Sequence, residues 1–92
     1  MEIKHSDDGK KGYFSAKEGD IKAGIMTYVW SNENTFIIDH TEGNPEFKGI
    51  GRKLLDAAVT YARENNKKII PLCPFAKKMF DKTPEINDVL SK

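Results

Sequence analysis

The stretch from Thr35 to Asn66, TFIIDHTEGNPEFKGIGRKLLDAAVTYARENN, constrains the rest of the chain more than any other. It opens as a strand, Thr35 to Thr41. By the twofold period of extended chain, Phe36, Ile38 and His40 share one face and Ile37, Asp39 and Thr41 the other. Gly43-Asn44-Pro45 ends it. From about Ile50 to Asn65 the period becomes helical: Ile50, Leu54, Leu55, Ala58, Val59 and Ala62 form an apolar stripe. Arg52, Lys53, Asp56, Arg63 and Glu64 lie largely off that stripe. Asn65-Asn66 offers a residue type that accepts a left-handed C-cap. Lys67-Lys68 then leads into a short apolar strand, Ile69 to Cys73. Strand, helix and strand in that order predict a crossover between two parallel strands.

The chain before this unit reads as antiparallel. Met1 to His5 is a short strand, Ser6 to Lys11 a turn with nothing to pack, and Gly12 to Lys17 a strand carrying Tyr13 and Phe14. Glu18-Gly19-Asp20 is a hairpin signal. Ile21 to Trp30 follows, with Ile21, Ala23, Ile25, Thr27 and Val29 on one face and Met26, Tyr28 and Trp30 on the other. Large apolar groups on both faces predict a central strand. After Cys73, Phe75 to Lys82 is a short helix packing Phe75, Met79 and Phe80. Thr83-Pro84 looks like an N-cap with proline at the first helical position, before a last turn carrying Ile86, Val89 and Leu90. The expected fold class is α+β, a mixed two-layer fold. It has a mostly antiparallel sheet, one parallel strand pair, one main helix after the glycines and short C-terminal helices.

A chain of 92 residues is expected to be a single domain, 1–92. Its 15 basic and 14 acidic side chains leave a formal charge of +1, so no bulk attraction to nucleic acid or membrane follows. The N-terminus MEIKHSDDGKKG holds no apolar run of the secretory kind, and no segment approaches a membrane span. Cytoplasm is the expected location, where the single Cys73 stays reduced. Two histidines and one cysteine show no metal-ligand spacing.

Two features carry chemistry. Gly49-Ile50-Gly51 opens the helix, where free N–H groups and the positive dipole end can hold an anion; Lys48, Arg52 and Lys53 add charge beside it. The same pattern serves a tight strand-to-helix turn with a solvated basic rim, and Leu54 stands where a dinucleotide fingerprint has its third glycine. His40 and Cys73 are the reactive candidates, since both fall at the carboxyl ends of the parallel strands. Histidine can act as a base near neutral pH, and a thiolate is a nucleophile. Either residue can equally be a structural one, His40 hydrogen-bonded on its strand and Cys73 a small buried hydrophobe. Tyr28 and Trp30 read as packing, the paired lysines as solvated faces, and His5 as an exposed terminal residue.

With those residues in view, DHTEGNPEFKGIGRKLLDAAVTYARENNKKIIPLCPFAKKMF resembles the acetyl-CoA-binding half of the GNAT superfamily of N-acetyltransferases, in its minimal single-domain branch. The matching features are His40-Thr41-Glu42, the GIG segment at 49–51 with Leu54, and Ile70-Pro71-Leu72-Cys73. The phosphate-loop window Glu46 to Gly51 keeps the two final glycines. It departs at Glu46, where the superfamily has Gln or Arg, and at Phe47. The resemblance implies acetyl-CoA as cosubstrate. Its phosphates would lie on Lys48, Gly49, Ile50, Gly51, Arg52 and Lys53, and its pantetheine along the strand from Ile38 to Thr41. It implies His40 and Cys73 as the active-site pair, His40 as base and Cys73 at the thioester, in direct transfer to an amine. A route through acylated Cys73 stays open.

The partners expected are acetyl-CoA and an unidentified amine acceptor, with no nucleic acid and no membrane. A CoA-binding module without transferase activity is the alternative. A small nucleic-acid-binding domain, resting on Lys48, Arg52, Lys53, Lys67 and Lys68, fits the near-neutral charge poorly. Oligomeric state is left open, a monomer included.

Overall fold

The computed structural model describes residues 1–91. Strands β1 (Glu2–Asp7), β2 (Lys11–Glu18), β3 (Ile21–Asn32) and β4 (Thr35–Gly43) form an antiparallel meander. Helix α1 (Ile50–Glu64) carries the chain to β5 (Lys68–Pro71), which pairs parallel to β4. Helix α2 (Pro74–Lys82) and a 3₁₀ helix (Pro84–Val89) follow, and Leu90 makes a parallel bridge to Ile69. The strands stand in sequence order, β1-β2-β3-β4-β5. This is the α+β architecture expected: antiparallel strands, one parallel pair and one main helix after the glycine loop.

The core lies on one face of the sheet. The whole α1 stripe, Ile50, Leu54, Leu55, Ala58, Val59 and Ala62, is buried against Phe14, Met26, Tyr28, Phe36 and Ile38 of the strands. Ala76, Phe80, Ile86 and Val89 close the C-terminal side. Each large apolar side chain so placed contributes about 1.5–3 kcal/mol. β3 is the central strand, as expected, yet its second face is not covered. Ile25, Thr27 and Val29 stay half-buried, sheltering one another with Ile37 of β4. Antiparallel sheets tolerate one such solvated face.

The C-terminal end of α1 follows from sequence. Asn66 takes the left-handed conformation at φ 56°, and Lys67 N–H reaches Ala62 C=O at 2.8 Å while Asn66 N–H reaches Arg63 C=O at 3.5 Å. That is a complete Schellman cap. Before the 3₁₀ helix Thr83 precedes Pro84 as expected, but its hydroxyl makes no cap bond; it accepts from the Arg52 guanidinium at 3.4 Å.

Several local expectations are corrected. Ser6 and Asp7 belong to β1 rather than to a loop, because Asp7 has donors to pair with. Its carboxylate accepts from the Tyr28 hydroxyl at 2.5 Å, Trp30 Nε1 at 2.8 Å and Gly9 N–H at 2.7 Å. His5 is exposed as a residue, but its ring is not idle. It stacks on Phe14 at 4.2 Å and 9°, meets Tyr61 edge-on at 4.5 Å, and lies 2.6 Å from the Tyr28 hydroxyl through Nε2. Lys67 and Lys68 are tethers rather than a solvated face. Their ammonium groups donate to Glu33 C=O and Asp88 C=O at 2.7 and 2.5 Å, and Lys67 also lies 5.7 Å over Trp30. β5 ends at Pro71, short of Cys73.

Candidate active site

The site begins where β4 and β5 part. Their ladder runs from Thr35 opposite Lys68 to Ile38 opposite Pro71 and stops, while β4 continues to Gly43. Ile38 C=O accepts from both Leu72 N–H and Cys73 N–H, at 3.1 and 2.9 Å, and the chain then turns into α2. The side of β4 beyond Ile38 that faces β5 therefore has no strand partner among the described residues.

At the same point β4 carries a bulge. Thr27 of β3 stands opposite His40 and Tyr28 opposite Ile38, which leaves Asp39 as the extra residue. Thr27 Oγ1 donates to Asp39 Oδ1 at 2.6 Å. One extra residue inverts every later side chain. Thr41 therefore joins Phe36 and Ile38 on the helix-facing side, correcting the face assignment that simple alternation predicts. His40 goes to the outer face, where its Nε2 lies 3.4 Å from Glu42 Oε1, two residues along.

Cys73 sits across the gap on the inner side. Its Sγ lies 3.3 Å from Thr41 Oγ1 and accepts the N–H of Ala76 at 3.4 Å, so it serves as the N-cap of α2. Pro74 at the first helical position is the sequence signal for that cap. The thiol is 5% exposed, whereas the His40 side chain is 58% exposed. Alternation along β4 then puts His40 and Cys73 on opposite faces of the sheet; the residue that touches Cys73 is Thr41.

The glycine loop lies at the open end of this gap. Asn44 ties its start to β3 through Ala23 C=O and turns the chain with its side chain accepting Glu46 N–H at 3.0 Å. Phe47, at an unexpected position for the superfamily, packs against the core and anchors the turn. Gly49 is the N-cap of α1 at φ 79°, a conformation glycine takes without strain, and a Cβ there would meet nothing within 4 Å. Gly51 is small for another reason: a Cβ would lie 2.6 Å from Cζ of Phe75, so its absence lets α2 close against α1. No side chain caps α1 and no acid occupies its first turn. Among the described residues, none accepts from the N–H groups of Lys48, Gly49, Gly51 and Arg52.

The basic side chains named from sequence separate. Lys48 is exposed beside the loop. Arg52 is committed to Asp56 at 2.9 Å and to Thr83. Lys53 lines a groove between β1 and α1, with His5, Phe14 and Tyr61, away from the gap. The loop's positive character thus rests on its backbone and Lys48. Sequence reasoning gave no role to Glu42, Asp39 or Thr27. Glu42 was within reach, since residues two apart on a strand share a face; the bulge that adds Asp39 and Thr27 leaves no mark in composition.

A second polar cluster lies beside the C-terminal half of α1. The Tyr28 hydroxyl has one proton, and it goes to Asp7, so His5 Nε2–H donates to Tyr28. Burial, then the hydrogen bond to Asp7, pushes the Tyr28 phenol far up, and burial followed by the Asp7 charge raises Tyr61. Burial holds His5 below its ordinary 6.5 against the pull of Asp7. Asp7 is itself opposed by burial, but the bonds from Tyr28, Gly9 and Trp30 outweigh it and hold the carboxyl below 3.8.

The family model for the GCN5-related N-acetyltransferases matches residues 13–89. The chain belongs to this GNAT family. A GCN5-like candidate N-acetyltransferase from Staphylococcus aureus, known from its solution structure, is 40% identical with a TM-score of 0.74, over 98% of this chain and 87% of that one. A candidate acetyltransferase of the GNAT family from Bacteroides thetaiotaomicron shares the fold at 18% identity and TM-score 0.53, over 87% of this chain and 47% of that one. Among curated proteins nothing matches. In this GNAT chain no described helix is long and apolar enough to cross a membrane, and no described cluster of His, Cys, Asp and Glu is arranged to hold a metal ion.

Proposed function

We propose that the chain, acting as one domain over 1–92, binds acetyl-CoA and transfers its acetyl group to an amine. The observation that carries this is the set of unpartnered N–H groups at Lys48, Gly49, Gly51 and Arg52, at the mouth of a helix that opens beside the gap between β4 and β5. Helix N-termini with free donors bind phosphate, and the open space over Gly49 lets a pyrophosphate approach the backbone. The unpaired side of β4 from Asp39 to Thr41 can pair with the amides of the pantetheine arm, which leads the thioester toward Thr41 and Cys73.

In this reading the residues work from two sides. His40, oriented by Glu42 on the outer face, takes a proton from the acceptor amine. The amine nitrogen bonds to the acetyl carbon, the carbon–sulfur bond breaks, and the Cys73 thiol, with the Thr41 hydroxyl beside it at 3.3 Å, gives a proton to the departing CoA sulfur. Placement on opposite faces favours direct transfer, with the acceptor approaching from the outer side. It disfavours an acyl-Cys73 route, because a capping thiol that is 5% exposed is poorly placed to attack.

The separation of His40 from Cys73 also supports the second reading, a CoA-binding module without transfer. Titrating isotope-labelled protein with acetyl-CoA tests the binding that both share. Saturable amide shifts at Lys48 to Arg52, extending to Thr41 and Cys73, are expected; unmoved Gly49 and Gly51 signals at millimolar ligand would sink both. Acetylation of a panel of amines, measured by free CoA release, then separates them.

A further inference from the structure

We propose that the outer edge of β1 is a docking surface for a second copy of this chain, joined antiparallel and centred on Ile3, so that two sheets become one. β1 pairs with β2 on one side only, and no strand among the described residues covers the other. An uncovered edge offers a row of backbone donors and acceptors, which proteins usually guard with charge. Here the guards are of opposite sign. Glu2 and Lys4 stand two residues apart on the outer face, opposite Lys17 and Ser15 of β2. Ile3 and His5 stand on the core face, opposite buried Ala16 and Phe14.

Antiparallel pairing of two copies about a twofold axis keeps core face with core face, which allows few registers. Centred on Ile3, it sets Glu2 against the partner's Lys4, Lys4 against the partner's Glu2, and Ile3 against the partner's Ile3. Centred on Lys4, it sets Lys4 against the partner's Lys4. Centred on His5, it gives Glu2 no cation. Only the first is complementary in charge. It also covers what the single chain leaves bare: Ile3 is 39% exposed and Met1 49% exposed. Between this edge and α1 runs an open groove walled by Ile3, His5, Phe14, Ala57 and Tyr61. In the Ile3-centred register the partner's Met1 falls beside His5, and the partner's Ile3 closes the groove at its open side.

The pairing makes a test that a loose hydrophobic contact would fail. Sedimentation equilibrium up to millimolar protein is expected to show one chain passing to two. Glu2→Lys and Lys4→Glu each create two like-charge pairs and should weaken association about tenfold or more. The double variant Glu2→Lys/Lys4→Glu should restore it. A mixture of the two single variants should form mixed dimers in preference to either alone, because each then meets its opposite. Both positions of change are exposed strand-edge charges, and unchanged far-ultraviolet circular dichroism would confirm that the variants fold. A wild-type chain that stays single at millimolar concentration, or dimers indifferent to the charge swap, would overturn the proposal.

Discussion

The two ends of α1 treat polar groups in opposite ways. At its first turn, among the described residues, the N–H groups of Lys48, Gly49, Gly51 and Arg52 have no partner, no side chain caps the helix, and the neighbouring strands part. Beside its last turns the groups are paired: a Schellman cap closes the backbone, and His5, Tyr28, Asp7 and Trp30 satisfy one another. A fold this small is marginal and tolerates few unmet donors. The unmet ones collect at one end, against a gap in the sheet, where free donors at a helix N-terminus can hold an anion. The contrast also separates two kinds of histidine. His40 is exposed and held only by Glu42, while His5 is stacked and donates into a chain of bonds.

The comparison breaks if residues at the open end carry stability, or residues at the closed end carry turnover. His40→Gln is expected to lower kcat about a hundredfold or more while leaving the melting temperature unchanged, since the side chain packs against nothing buried. Tyr28→Phe should do the reverse. It deprives Asp7 of a donor and His5 Nε2–H of its acceptor, costing about 2–3 kcal/mol of unfolding free energy in urea melts with acetyl-CoA affinity intact. Gly49→Val sharpens the contrast, because it acts at the boundary. A β-branched residue at φ 79° is strained by about 1–2 kcal/mol, and the added bulk fills the open approach to the free N–H groups. Calorimetry should show a loss of acetyl-CoA affinity of about tenfold that the modest drop in stability does not explain.

Much of the fold could be read from periodicity because each signal was local. The α1 stripe named its buried face residue by residue, and Asn66 announced the cap. The glycine loop was legible too, although its two glycines answer to different demands: Gly49 to a left-handed turn over open space, Gly51 to the ring of Phe75, a contact between helices that no local pattern encodes. What stayed hidden depended on pairing across strands. A bulge is one residue of register, decided by how Thr27 and Tyr28 meet β4, and it alone moved Thr41 toward Cys73 and His40 to the far face. Asp7 was hidden for the same reason. SDDG reads as a turn until Tyr28 and Trp30 are brought opposite it by the register of β2 and β3.

The closed end makes a weaker but more specific prediction, in its response to acid. His5 is held below 6.5 in the folded chain, first by burial, so above pH 6.5 both folded and unfolded states carry it neutral and stability is unaffected. As pH falls below 6.5 the unfolded histidine takes a proton that the folded one resists, and stability declines until the pH passes the folded value. Asp7 adds a separate, lower step. With its folded value below 3.8, its stabilisation is complete above 3.8 and is lost as the pH drops through the folded value. The first step is small, because much of the ring faces water and screening discounts the shift. Unfolding midpoints in urea between pH 7.5 and 5 should therefore drift down slightly in the wild type and stay flat in His5→Gln, which keeps a donor for Tyr28 but cannot take a proton. Asp7→Asn should remove the lower step and leave the upper one, its slope if anything steeper, since the charge that favours His5 protonation opposes the burial that resists it. A wild-type midpoint that rises on acidification, or an upper step that survives His5→Gln, would mean that the titrating group lies elsewhere and that the aromatic cage around His5 does not hold it neutral.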